Sequence, residues 1–150
     1  MSMYNEFMPK YYATSIISKI RDELHRLIVF ELEQHGVEGI VPSHGDILVF
    51  LYQKNGLSVK ELAEKIHRKQ PTVTVLVDKL ARLGYVERVK SQDDSRITLI
   101  YLTEKGRELE PLFHRISATV NAAVYDGFTE EQQEQLEQML AVILSRVSER

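Results

Sequence analysis

Cysteine is absent from the chain, which excludes disulfides, thiolate metal sites and any switch driven by thiol oxidation. Long apolar runs are absent too. The longest uninterrupted one, residues 47–52, falls far short of the ~20 residues that a helix needs to span a bilayer. Residues 1–6 lack a basic region leading into an apolar stretch, so no secretory leader or membrane segment is expected and the protein is assigned to the cytoplasm. The signatures of catalysis are missing as well: there is no phosphate-cradling glycine loop, nucleophile elbow or His-Glu zinc motif. With no catalytic constellation, neither an enzyme nor a cofactor is expected.

What is present suits a compact domain. With 150 residues, 43% hydrophobic and 27% charged, the chain can bury one core and is read as one protomer-sized domain. Its net charge of −3 is unlike that of most phosphate-binding domains, which are basic. The charge is unevenly spread, however. Residues 54–96 hold ten Lys/Arg against six Asp/Glu, leaving nine against sixteen elsewhere. A local +4 on an acidic body would orient approach to DNA and give a moderate salt dependence.

Residues 58–102 carry the densest pattern: two short helices, a strand, a charged turn and a second strand. In the second helix, Val73, Leu76, Val77, Leu80 and Gly84 recur on one face of a 3.6-residue period and are expected to point inward. Pro71, Thr74, Val75, Asp78 and Arg82 then face outward. Pro71 suits a first turn, where its missing N–H has no intrahelical partner. Gln70 and Thr72 flank that turn with groups able to meet base edges in a major groove, and Val75 can touch a thymine methyl. Arg68 and Lys69 lie just upstream, placed to clamp phosphates. An ordinary αα-hairpin with a solvated outer face remains the alternative on this segment alone.

The strands that follow, residues 85–90 and 96–102, are rich in Val, Ile, Leu and Tyr, and the polar cluster Ser91-Gln92-Asp93-Asp94-Ser95 makes the turn between them. Arg88 and Lys90 lead into the tip and Arg96 leaves it. A cation there can probe a narrow A·T minor groove, with Asp94 near enough to brace Arg96. The competing reading is a hairpin whose charges only keep its edges soluble.

The flanks are helical. Ile17, Ile20, Leu24 and Leu27 form a stripe on a first long helix. Leu109, Leu112, Phe113, Ile116, Val120 and Val124 do so on a later one, with Pro111 expected to bend it. Leu136, Met139, Leu140, Ile143, Leu144 and Val147 mark the last helix, opened by a Thr129/Gln132 capping box. A shorter helix around residues 42–51 is expected to start at an N-cap Ser43 and to bury Ile47, Phe50 and Leu51. One protomer offers too little surface to cover the long stripes, so pairing with a second copy is expected. A self-contained bundle is the alternative.

Taken together, Leu57-Ser58-Val59-Lys60-Glu61-Leu62-Ala63, Thr72-Val73-Thr74, Leu76-Val77-Asp78-Lys79-Leu80, Gly84-Tyr85-Val86-Glu87-Arg88, Asp94-Ser95-Arg96 and Leu102-Thr103-Glu104-Lys105-Gly106 resemble the multiple antibiotic resistance regulator (MarR) family of winged helix-turn-helix repressors. The resemblance implies a mainly α fold with a small two-stranded β wing, the winged region spanning about 43–102 and helical dimerisation regions about 10–35 and 103–148. It also implies a homodimer on double-stranded DNA, with Arg96 in the minor groove, Asp94 orienting it, and the second helix in the major groove. Two reading helices about one helical turn apart, roughly 34 Å, select a near-palindromic operator, expected near the protein's own gene.

Two departures stand out. His67-Arg68-Lys69 replaces a turn in which the family often has glycine, and Val75 stands where an exposed basic residue is common. The resemblance further implies a small anionic or phenolic effector that releases DNA by shifting the spacing of the reading heads, with Tyr12, Arg21, His25, His44, Phe50 and His114 as candidate pocket residues. Two other readings stay open. One is a metal-responsive regulator using His44, Asp46, Glu110 and His114, although no metal site is assigned. The other is a winged-helix module that docks a protein instead of a duplex.

Overall fold

The computed structural model describes residues 12–148. The opening residues 1–6 read above for a leader, and the first positions of the expected N-terminal helical region, lie outside the described residues. The chain forms two compact units, residues 1–42 and 43–150.

In the first unit, helix α1 (Ala13–Gln34) ends where Gly36 takes a left-handed φ of +77°. The N–H groups of His35 and Val37 both return to the Leu32 carbonyl, at 3.1 and 3.0 Å. That closure satisfies the carbonyl which the helix end leaves open, and it accompanies burial of Leu32, Val37 and Ile40. On the expected stripe, Ile17 and Ile20 are exposed and Leu24 and Leu27 half-buried.

The second unit begins in α2 (Pro42–Gln53). Its start differs from the expected one: the helix begins at Pro42, which suits a first turn, so Ser43 lies inside the helix rather than capping it. Ile47, Leu48 and Leu51 are buried and Phe50 is only half-buried. Next come β1 (Leu57–Ser58), α3 (Val59–Ile66) and α4 (Gln70–Arg82), then β2 (Val86–Lys90) and β3 (Thr98–Leu102), and finally α5 (Glu104–Glu108), α6 (Glu110–Tyr125) and α7 (Glu130–Ser148).

The sheet has three strands in the order β1-β3-β2, one more than the expected wing. β2 and β3 pair antiparallel from Val86 opposite Leu102 to Lys90 opposite Thr98, and β1 joins the other edge with Leu57 opposite Ile100. Two residues carry no readable alternation, which is why the periodicity that found β2 and β3 passes over β1.

Ser58 closes a capping box on α3: its side chain accepts from the Glu61 N–H at 3.1 Å while the Glu61 carboxylate accepts from the Ser58 N–H at 3.2 Å. Losing such a cap typically costs about 1 kcal/mol. The core of this unit is Ile47, Leu48, Leu51, Leu57, Leu62, Val73, Val77, Leu80 and Ile100, each at most 1% exposed. Val73, Val77 and Leu80 are the inward face read from the sequence, whereas Leu76 and Gly84 at its margin are half-buried.

The C-terminal helices follow the pattern with one change. Pro111 stands in the first turn of α6 after a break at Leu109, so it starts a helix rather than bending one. Leu112, Phe113 and Ile116 are buried. The Thr129/Gln132 capping box on α7 is present, with reciprocal bonds of 3.0 and 3.1 Å. Among the described residues, no helix is long and apolar enough to cross a membrane.

Candidate nucleic-acid interface

The module begins with an unusual turn. His67 closes α3 in the left-handed region at φ 55°, a conformation that costs a residue with a Cβ roughly 1–2 kcal/mol. The Arg68 N–H bonds the Ala63 carbonyl at 3.1 Å, which turns the chain toward α4. In the turn where the resemblance expects a glycine, His67 thus takes a conformation that glycine adopts freely.

From that turn α4 emerges with Arg68, Lys69, Gln70, Pro71, Thr72, Thr74 and Val75 all exposed. No side chain caps its start, so its first N–H groups stay available to an anion such as a phosphate. The Thr74 hydroxyl donates to the Gln70 carbonyl at 3.1 Å, which fixes its rotamer. Val75, 66% exposed, presents an apolar contact on the outward face.

The hairpin tip is organised by Ser91. Its hydroxyl oxygen accepts from the N–H groups of Asp93 and Asp94 at 3.3 and 3.4 Å, and its own N–H bonds the Ile97 carbonyl at 2.8 Å. Asp94 grips Arg96 three ways: Oδ1 accepts from the Arg96 backbone N–H at 3.1 Å and from Nε at 3.0 Å, and Oδ2 accepts from Nη2 at 3.0 Å. This two-pronged carboxylate–guanidinium geometry fixes direction as well as charge. The Arg96 bonds, side chain before backbone, hold the Asp94 carboxyl below its ordinary pKa, and Asp94 raises that of the Arg96 guanidinium. The Arg96 side chain is nonetheless 88% exposed: a cation held in one direction and open to solvent.

The other basic candidates differ. Lys90 is exposed at the end of β2, opposite Thr98. Arg88 is not a free cation, because its guanidinium is ion-paired with Asp78 on α4. Asp78 faces outward, as its place on the helical period predicts, and Arg88 is its partner there.

Behind the interface lies a junction whose role the sequence did not disclose. The Tyr85 carbonyl accepts from the Thr103 N–H at 3.1 Å, while the Thr103 hydroxyl donates to the Gly84 carbonyl at 2.5 Å and accepts from the Gly106 N–H at 3.1 Å. Lys105 donates to the Leu83 carbonyl at 2.8 Å, at the negative end of α4, and its ammonium lies 4.8 Å from the centre of the Tyr85 ring. From α2, the Tyr52 hydroxyl reaches the Gly106 carbonyl at 2.7 Å. Burial, then the nearby Glu110 and Tyr85, push the Tyr52 phenol well above its ordinary pKa, so it stays a donor at any physiological pH.

The candidate ligand residues are placed as follows. In the first unit, the Tyr12 hydroxyl accepts from Lys19 at 2.9 Å, Arg21 lies 4.0 Å from Asp22, and His25 lines a groove with Val29, Phe30 and Val41. In the second, His44 is buried, Phe50 has the Lys65 ammonium 5.6 Å from its ring centre, and exposed His114 lies 3.4 Å from Glu110. His114 and Glu110 also line a cavity of about 140 Å³ with Val49, Tyr52, Phe113 and Ser117; neither His44 nor Phe50 lines it. Among the described residues, no three His, Cys, Asp or Glu side chains stand together as a metal site.

Residues 40–98 match the MarR family model. The chain is 28% identical over 93 residues to YybA of Bacillus subtilis, named an uncharacterized HTH-type transcriptional regulator, covering 62% of each chain; it thus spans less than two thirds of that relative. Among solved structures, the S. aureus MepR–DNA complex superposes with a TM-score of 0.80 at 27% identity over 92% of this chain and 99% of that one. A mutant MarR from E. coli complexed with operator DNA superposes with a TM-score of 0.78 at 21% identity, over 96% and 99% of the two chains. The B. subtilis relative is thus named a transcriptional regulator, and both structures are bound to DNA. The family match falls on the same helix-turn-helix and wing that the geometry sets out, and over those residues the chain resembles the MarR family of winged-helix transcriptional regulators.

Proposed function

We propose that this protein is a dimeric, sequence-specific DNA-binding repressor of the cytoplasm, released from a near-palindromic operator by a small ligand. One observation carries the DNA reading: on a single module, the uncapped and exposed first turn of α4 accompanies an Arg96 that Asp94 fixes while leaving it 88% exposed. A hairpin that needed only solubility has no use for a guanidinium held by two bonds and anchored by a third through its backbone N–H. In the proposed complex Gln70, Thr72, Thr74 and Val75 meet base edges, Arg68, Lys69 and Lys90 take phosphates, and Arg96 enters the minor groove. The DNA-bound forms of MepR and the MarR mutant support this placement by analogy of fold.

Dimerisation is supported by α7. None of its residues is buried, and Met139, Leu140, Val142, Ile143, Leu144 and Val147 are all more than 40% exposed. An apolar stripe of that length on a soluble chain marks an interface. The cavity beside His114 supports a small effector, whose binding would bias the reading heads toward or away from operator spacing.

The test is fluorescence-anisotropy titration of DNA from upstream of the protein's own gene, with excess unrelated competitor and a salt series. Competitor-resistant binding by one dimer, weakened by Arg96→Ala at sites with A·T-rich flanks, is the expected result. Binding that Arg96→Ala leaves unchanged at physiological salt refutes the wing assignment.

A further inference from the structure

Arg88 and Asp78 form an ion pair across the junction of β2 and α4. Both side chains are well exposed, 39% and 52%, and exposed pairs add little to stability. The position of the pair is more telling. It lies in a shallow depression on the outward face of α4, lined by Val75, Asp78, Ala81, Arg82 and Arg88, on the face proposed to meet the duplex. Asp78 is the sole acid of α4. A lone carboxylate there repels phosphates unless something neutralises it.

The two arginines of the wing are held differently by their acids. Asp94 holds Arg96 out, 88% exposed, whereas Asp78 holds Arg88 back against α4 at 39%. The first arrangement presents a cation to DNA. The second consumes one, and in doing so ties the wing strand to the reading helix.

From this geometry we infer that Asp78 withholds Arg88 from the DNA backbone, so that Arg88 is a positioning residue for the wing rather than a phosphate ligand, and Asp78 limits sequence-independent binding. The inference rests on the DNA-reading proposal above. An arginine freed at this position would take a phosphate on any sequence, and tight non-specific binding would dilute the contrast with the operator, because phosphate contacts carry no sequence information.

Each phosphate contact adds about −0.9 to the slope of log K against log salt on duplex DNA, and a purely structural role for the pair would leave that slope unmoved. The experiment measures binding of the full chain to a random-sequence duplex across a salt series by fluorescence anisotropy, for wild type, Asp78→Asn, Arg88→Gln and the double variant. Asp78→Asn is expected to steepen the slope by about 0.9 per protomer and to tighten non-specific binding. The double variant is expected to return to the wild-type slope. Arg88→Gln is expected to bind more weakly at every salt concentration, from the unpaired Asp78 carboxylate, without a flatter slope.

A slope flattened by about 0.9 per protomer in Arg88→Gln makes Arg88 a phosphate ligand and overturns the inference. So does Asp78→Asn with an unchanged slope, or a steepening that persists in the double variant and so does not need Arg88. Wild-type protein that fails to bind the duplex even at low salt is a separate result, which removes the DNA reading itself.

Discussion

Gly106→Ala is the sharpest test of how this module is held together. A Cβ on Gly106 would lie 2.1 Å from the Tyr85 carbonyl oxygen and 3.1 Å from its carbon, where real Cβ atoms essentially never come within 3.0 Å. The obstacle is backbone, so α5 must move away from the start of β2 by about 0.9 Å. That movement strains three hydrogen bonds: Thr103 N–H to the Tyr85 carbonyl at 3.1 Å, Thr103 hydroxyl to the Gly84 carbonyl at 2.5 Å, and Tyr52 hydroxyl to the Gly106 carbonyl at 2.7 Å. At about 1 kcal/mol net for each, their loss costs about 3 kcal/mol. Alanine's better helix propensity returns up to about 1 kcal/mol. A net loss of about 2 kcal/mol corresponds to a drop in Tm of roughly 4–8 °C for a chain of this size. Urea and thermal unfolding at fixed protomer concentration would measure it. Gly45→Ala is the comparison: its Cβ would meet only the edge of the Phe113 ring, at 2.9 Å, and a side chain can yield, so the loss should be smaller. A Gly106→Ala protein within about 0.5 kcal/mol of wild type, the range of innocuous surface changes, would refute the close-approach argument.

Other outcomes follow from the same geometry. His67→Gly removes a left-handed penalty of roughly 1–2 kcal/mol and loosens the unfolded chain by about 0.4–1 kcal/mol, so denaturant unfolding should show a net gain of about 0.8 kcal/mol; a loss of 1 kcal/mol or more contradicts it. Leu140→Glu on the exposed stripe of α7 should convert the proposed dimer to monomer in sedimentation while preserving the helical circular dichroism, and a variant that stays dimeric places the interface elsewhere. Since Arg96 depresses the Asp94 carboxyl below its ordinary 3.8, the wing clasp is fully present above that value and is lost only as pH falls through the lower folded one. An Asp94 carboxyl titrating by NMR at or above 3.8 would mean that the clasp is not formed in solution.

Much of this molecule was legible before its structure, wherever a period was long enough to read. The inward face of α4 announced itself through Val73, Val77 and Leu80, and β2 and β3 through their Val, Ile and Tyr runs on either side of a polar turn. Short or non-local features were not legible. β1 is a pair of residues that become a strand only because Ile100 and Leu99 offer them a partner. Ser43 has a cap's chemistry but lies inside the helix, because Pro42, whose fixed φ suits a first turn, starts it two residues sooner. Arg88 looked like any other basic residue near the tip until Asp78, ten positions earlier, was placed beside it.

The motif residues that carried the family resemblance divide along the same line. The roles proposed for Thr72, Thr74 and Arg96 are ones that their own chemistry suggests, as exposed donors, acceptors and charge. Gly84-Tyr85-Val86 and Leu102-Thr103-Glu104-Lys105-Gly106 give no such hint, because each is half of one object. The Tyr85 carbonyl receives the Thr103 N–H and fills the space where a Cβ on Gly106 would sit, while Lys105 closes over the Tyr85 ring and the Leu83 carbonyl at the end of α4. The end of the reading helix, the start of the wing and the start of the C-terminal helices therefore meet at one hydrogen-bonded junction. The Tyr52 hydroxyl joins α2 to that junction, and the Tyr52 side chain also lines the His114 cavity. A ligand seated in that cavity would touch a residue bonded one step from the base of the wing, so the proposed effector control needs no long chain of intermediates to reach the reading surface.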